Sequence, residues 1–165
     1  MPLITVDGFR QDAFASLADD VALPDGAVLV SLSRFQAERA AVIARNAPLG
    51  VRLRSDESPE RLGEDVHRLS LVVLEFPKFR DGRAFSWARL LRTRLHFRGD
   101  IRAAGDFLTD QIAYQRRVGF DEWDVTDGFA EADLRRALSE ISNVYQPSAD
   151  GRKTIRRSRN GIKGP

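Results

Sequence analysis

The side chains best suited to chemistry gather in one charged turn, where Lys78, Asp81 and Arg83 fall within six residues around Gly82. An apolar run, Leu71–Leu74, leads into this turn, and a helical pattern leads out of it. Open α/β proteins place their sites where a strand ends in such a turn and restarts as a helix. Similar polar residues follow the other apolar runs: Ser31 and Ser33; Arg54, Ser55 and Asp56; Gly105 and Asp106; Asp124, Thr126 and Asp127. If those runs are parallel strands, these residues converge on one rim. Cations beside helix N-termini suit a small oxyanion or a carboxylate, which makes Lys78, Arg83, Arg89 and Arg102 the anion-binding candidates. Asp81 and Asp106 are the candidates for a general acid or base. The plainer reading of Asp81-Gly82-Arg83 is a tight turn in which Asp81 caps a helix and Arg83 is solvated.

Other groups carry less. Arg89 and Arg92 share a helical face, which ordinarily is a solvated one. Arg116-Arg117 at a helix end complements the macrodipole. Trp87 and Trp123 read as core or interface. No glycine-rich phosphate loop surrounds Gly105, so nucleotide binding by a known loop has no support, and no cofactor is assigned. The chain has no cysteine, which removes disulfides, thiolate metal sites and a cysteine nucleophile. His67 and His96 stand apart, so a zinc site is not expected.

The elements that would position the rim follow from hydrophobic pattern and punctuation. Residues 3–6 read as a short strand before the turn at Asp7-Gly8, and Asp12–Leu17 as a short helix ended by Pro24-Asp25-Gly26. Ala27–Val30 is a strand, and Ser33 is expected to cap a helix over Arg34–Arg45. Gly50–Arg54 is a strand, and Ser58-Pro59-Glu60 a helix start. Leu71–Leu74 is a strand, and Arg83–Arg94 a helix whose Ala84, Trp87, Ala88 and Leu91 recur at three and four. Ile101–Ala104 is a strand, Leu108–Arg117 a helix with Gly119 at its end, Asp121–Val125 a strand and Ala130–Ser142 a helix. Strand centres near Val30, Leu53, Val73, Ala103 and Trp123 recur every ~20–30 residues, the period of βα units. The expected fold class is therefore α/β, with a mainly parallel sheet of about five strands. Either an open three-layer sheet or a partial (β/α) barrel fits.

The 165 residues are 42% hydrophobic and 30% charged, an ordinary composition for one folded domain. Residues 1–147 are expected to be that domain. The formal charge of +2 is an average over unlike parts. Six of the 26 basic residues lie beyond Asp150 with no acid among them, which leaves 20 against 24 acidic residues elsewhere. Residues 148–165 therefore read as a basic, disordered tail. With no aromatic residue to stack on bases, the tail gives no expectation of nucleic-acid binding. No run nears the ~18 apolar residues of a membrane span, and no basic segment with an apolar core opens the chain. The expected location is the cytoplasm.

One ordered string goes further than its physics: Phe76-Pro77-Lys78-Phe79-Arg80-Asp81-Gly82-Arg83, Ser86, Ala88–Arg92, Gly99, Arg102-Ala103, Gly105-Asp106, Asp110-Gln111 and Gly119-Phe120-Asp121. It resembles a bacterial family of unknown function encoded beside sulfite reductase and often labelled an oxidoreductase of sulfite reduction. The resemblance is strongest over residues 70–125. It implies a pathway, assimilatory sulfate and sulfite reduction, with sulfite reductase or its electron donor as partner, and it implies no catalytic residue. Two positions depart from the family pattern: Ala84-Phe85 stands where a small residue and Tyr are usual, and Val118 where Cys is common. Known sulfite reductases use sirohaem and a cysteine-held iron–sulfur cluster, which a cysteine-free chain cannot ligate. The resemblance thus implies an accessory role.

Overall fold

The computed structural model of the protein describes residues 2–139 and 148–149. The expected helix end at 140–142, the expected domain end at 145–147 and the basic residues beyond 150 lie outside the described residues. Among the described residues eight strands form one sheet: β1 (Leu3–Thr5), β2 (Gly8–Arg10), β3 (Ala15–Ser16), β4 (Val28–Ser31), β5 (Leu49–Leu53), β6 (Leu71–Phe76), β7 (Asp100–Gly105) and β8 (Glu122–Asp124). Their spatial order is β2-β1-β8-β7-β6-β5-β4-β3. From β3 to β8 every neighbouring pair is parallel, and β1 runs antiparallel to both β8 and β2.

That order decides between the two architectures expected. From β3 to β8 it never reverses, so right-handed crossovers leave every helix on the same face. Five helices occupy it: α1 (Leu32–Ala37), α2 (Arg39–Ile43), α3 (Arg83–Thr93), α4 (Ile112–Val118) and α5 (Glu131–Ser139). Their buried residues, such as Phe35, Ala88, Leu91, Ile112 and Leu134, share one core with alternate strand residues, among them Val30, Val51, Leu74, Ile101 and Trp123. The other face is inner and concave. It carries only a small apolar cluster, Leu29, Leu71, Val73 and Ala104, capped by Phe14. The sheet is a strongly curled half-barrel, and among the described residues no helix covers its inner face.

The curl has a covalent cause. The sheet's edge strands, β2 and β3, are consecutive in sequence and only four residues, Gln11–Phe14, separate them. Those residues and their flanking bonds reach ~17 Å at full extension, whereas seven strand spacings cover ~34 Å along a sheet. Only a curled sheet lets the connection pass as a chord across its hollow.

The inner face beneath that chord is charged. One register row runs Ser31, Arg52, Val73, Arg102, Glu122, Thr5 across β4 to β1. Arg102 is 1% exposed. Its Nη1 and Nη2 donate to Asp12 on the chord at 2.7 and 2.9 Å, and Nη2 donates to Glu122 at 3.3 Å. Asp124 stands 3.7 Å away. Arg10 closes the far side of Glu122 at 3.2 Å. The fork geometry of Arg is what allows one buried cation to hold carboxylates from a chord and from a strand together.

Several expectations change here. Three more strands exist than the five counted. The short helix over Asp12–Leu17 is absent; Asp12 is pinned by Arg102, and Ala15 and Ser16 pair with β4. Ser31, not Ser33, caps α1, accepting the Arg34 N–H at 3.0 Å. The helix expected over Arg34–Arg45 breaks at Glu38 into α1 and α2. The segment after Ser58 is a 3-10 helix, Pro59–Arg68, kinked at Gly63 where φ is 58°. The helix expected from Leu108 starts as the 3-10 turn Thr109–Gln111 before α4.

Arg102→Met should lower the unfolding free energy by ~3 kcal/mol, since it strands Glu122 among buried neighbours; a urea titration measures this, and a loss below ~1 kcal/mol would show that the ionic cluster does not hold the chord. The two acids on Arg102 should also titrate in opposite senses. Burial raises the Glu122 carboxyl above its ordinary value despite Arg102 and Arg10. Folding therefore takes up a proton there, and this contribution to stability falls as pH rises between the ordinary and the folded value. Burial pushes Asp12 up too, but hydrogen bonds from Arg102 and the Phe14 amide bring it below its ordinary value. Its contribution is complete above that ordinary value and is lost as pH falls through the folded one. Carboxyl-carbon NMR titration of both residues checks the two signs.

Candidate functional site

The C-terminal strand ends do bring part of the expected rim together. β6 ends at Phe76, and residues 77–82 turn into α3, with the Asp81 N–H donating to the Lys78 carbonyl at 2.9 Å. Asp81 accepts from the Arg83 backbone N–H at 3.2 Å, and from Arg83 Nε at 3.0 Å and Nη2 at 2.7 Å. Arg83 Nη2 also donates to Ser55 Oγ at 2.9 Å. The Trp87 indole N–H donates to the Ser55 carbonyl at 3.0 Å, so α3 is tied twice to the end of β5. Ser55, Asp81 and Arg83, drawn from two strand ends, form one clasp.

Asp106 enters from the next strand. Its N–H donates to the Phe76 carbonyl at 2.7 Å, and Gly105 before it has φ 101°. A Cβ at Gly105 would lie 2.3 Å from the Phe76 carbonyl oxygen. The glycine lets β7 close against β6, and its positive φ turns the chain outward with the Asp106 side chain exposed. Lys78 is exposed on the neighbouring turn.

The remaining expected residues go elsewhere. Ser31 donates to Asp19 at 2.7 Å while capping α1. Arg54 pairs with Asp56 at 3.7 Å and with Glu57 at 3.3 Å. Asp124 faces Arg102 inside the hollow. Arg102 is not on the rim; its charge is already held by Asp12 and Glu122. Arg89 lies exposed on α3 and takes no part in the clasp's hydrogen bonds. Arg92, read as part of a solvated face, is a staple: it donates to the carbonyls of Phe97, Gly99 and Gly119 and pairs with Asp121, joining α3 to the starts of β7 and β8. Trp123 is fully buried and donates to Gln115 Oε1 at 2.7 Å.

The clasp's electrostatics favour holding over proton transfer. Hydrogen bonds from Arg83, its backbone N–H and Ser55 keep the Asp81 carboxyl far below the usual carboxylate range. Such a carboxylate stays ionised and is a weak base at neutral pH. Arg83 stays half-exposed, at 53% of its side chain, so it can meet a ligand while Asp81 orients it. A cleft of about 550 Å³ opens at the opposite end of the sheet, where Arg98, Arg116, Arg117, Asp100 and Asp121 line it. Among the described residues no group of three or more His, Asp or Glu side chains could hold a metal ion, and no helix is long and apolar enough to cross a membrane.

The clasp, the Gly105 approach and the Arg92 staple all fall within residues 50–156, and that stretch matches the family model described as a bacterial protein of unknown function (DUF934). The chain belongs to the DUF934 family. No curated protein and no solved structure matches it. The DUF934 match begins in β5, so β1 to β4 and the chord lie outside it.

What pattern reading missed is the charged inner face. Its signal was alternation: Asp100 and Arg102, then Glu122 and Asp124, stand two apart on β7 and β8, which marks one strand face as not packed by helices.

Arg83→Ala should raise the Asp81 titration toward the ordinary aspartate range while leaving the melting temperature nearly unchanged, since Arg83 is half-exposed and Trp87 still ties α3 to Ser55; NMR titration with a thermal melt reads both. Gly105→Ala should cost ~2–3 kcal/mol in a urea titration, from the positive φ and the overlap with the Phe76 carbonyl.

Proposed function

We propose that this protein is an accessory of assimilatory sulfite reduction, working with sulfite reductase or with its electron donor. The observation that carries the reading is the ordered string from Phe76 to Asp121, which lies wholly inside the DUF934 match and bears the resemblance to the family encoded beside the reductase. The cysteine-free sequence supports the accessory role, because the cluster that delivers electrons to sulfite is held by thiolates. The partner then carries the electrons, and this chain contributes a surface or a binding site. A strain lacking the gene should grow poorly with sulfate as its sulfur source and normally with cysteine, and the tagged protein should co-purify with sulfite reductase or its donor. Normal growth on sulfate would reject the reading.

A second reading, binding or turnover of a small anion at the rim, is favoured by one feature. Arg83 is oriented by Asp81 and Ser55 yet half-exposed beside Lys78 and Asp106. On this reading Arg83→Ala and Asp106→Ala, both folded by circular dichroism, fail to restore growth of the deletion strain. Full restoration by each would reject it.

A further inference from the structure

The two loops flanking the clasp carry a patch that neither the core nor the clasp uses. Phe79 precedes α3 and is 38% exposed; Leu108 precedes α4 and is 44% exposed; Tyr114 on α4 is 48% exposed. One amide fixes the loops side by side. Gln111 Nε2 donates to the Phe79 carbonyl at 3.1 Å, and Gln111 Oε1 accepts the Leu108 N–H at 3.1 Å. Beneath them an aromatic chain runs inward. The Tyr114 ring lies 5.2 Å from Phe85, Phe85 lies 5.2 Å from Phe76, and Phe76 lies 5.9 Å from Phe107. Phe76 is 1% exposed, so the patch rests on the core and is presented rigidly.

We propose that this patch docks a partner protein through a face with an apolar centre and surrounding carboxylates. Contiguous exposed apolar surface with a polar rim marks protein–protein sites, and aromatic side chains on a preformed support supply the anchoring contacts of such interfaces. The sign of the partner's charge follows from the rim. Lys78 and Arg80 flank Phe79, with the Arg80 guanidinium 5.3 Å from the Phe79 ring centre. Arg89 follows Phe85 by one helical turn and is exposed. None of the three has an ion pair among the described residues. The acids on these two loops are Asp81, already neutralised by Arg83, and the exposed Asp106 and Asp110. Three unpaired cations against two carboxylates leave the rim positive, and an acidic face complements it. A buried carboxylate partner would also find Arg rather than Lys at two of the three positions, the side chain suited to bidentate pairing.

This inference rests on the accessory role and names the surface through which it is exercised. Its test has two arms. In the first, purified sulfite reductase and its electron donor are each immobilised and titrated with the full chain, with Phe79→Ala/Tyr114→Ala, and with Arg80→Glu/Arg89→Glu. Each altered side chain is exposed, so wild-type melting temperatures are expected. Binding to one of the two that weakens at least about tenfold in both variants, and weakens with salt for the wild type, supports the proposal. Binding unaffected by both variants overturns it. Self-association in a sedimentation experiment that Tyr114→Ala abolishes, with no binding to either protein, also overturns it, because the occupant is then a second copy. In the second arm the same variants are introduced into the deletion strain. A deletion that needs the gene on sulfate yet is fully restored by both variants overturns the patch while the accessory role stands. A deletion that grows normally overturns the accessory role itself.

Discussion

Four residues, Gln11–Phe14, join the two outermost strands of the sheet, and the rest of the fold accommodates that short tether. Because the connection spans roughly half the arc it would follow along an uncurled sheet, the parallel strands must bend around it. The bend puts all five described helices on the convex side and leaves a hollow into which the chord sends Asp12 and Phe14. The residue that holds the chord down is Arg102, through Asp12, 90 positions away in sequence. A backbone constraint and one ion pair thus act on the same segment: the first sets the curvature, the second fixes where the chord lies within it.

The hollow accounts for charges that a doubly covered sheet could not carry. A parallel sheet packed on both faces reads as near-continuous apolar strands. Here Arg52, Glu75, Arg102, Glu122 and Asp124 share the inner face. Burial alone would make such groups costly. The arrangement offsets that cost by giving Arg102 three carboxylates, one from the chord and two from β8, and by giving Glu122 a second cation in Arg10. The mouth of the hollow stays open: Arg52 and Glu75 pair at 3.5 Å with about a third of each side chain exposed. The inner face is therefore buried at Arg102 and solvent-accessible toward the C-terminal rim.

The sequence made the convex side legible and the concave side hard to see, for a physical reason. Strands β4 to β8 and the helices between them announce themselves by local periodicity and by Gly, Pro and Ser punctuation. Their residues pack against near neighbours in sequence, and α3 and β6 were read within two residues of their ends. Residues 3–6 read as a strand and β1 stands there, but β2, the two-residue β3 and the chord have no such pattern. Asp12 reads locally as a helix start, and only a cation far along the chain makes it an anchor. Arg92 failed the same way: nothing near it in sequence shows that its guanidinium meets three carbonyls at the starts of β7 and β8. On the rim, the grouping of Ser55 with Asp81 and Arg83 was readable because parallel strands put their ends together, while the diversion of Ser31 to Asp19 and of Asp124 to Arg102 depended on side-chain partners across the fold.

The division between matched and unmatched segments follows the same line. The DUF934 match covers β5 to β8 and α3 to α5, which supply the clasp, Gly105, the aromatic chain from Phe76 to Tyr114, and Arg102. The chord and Asp12 lie before it. Arg102 thus lies in the matched segment while its partner Asp12 comes from the unmatched one, whereas the clasp and the Gln111 bonds are internal to the matched segment. Asp81, Arg83 and Ser55 hold one another, and Gln111 holds the Phe79 and Leu108 loops without help from residues 2–49. A change in the N-terminal segment would act on the hollow and its curvature before it reached the rim. The clasp and the Phe79 and Leu108 loops are carried by the part of the chain that matches the family.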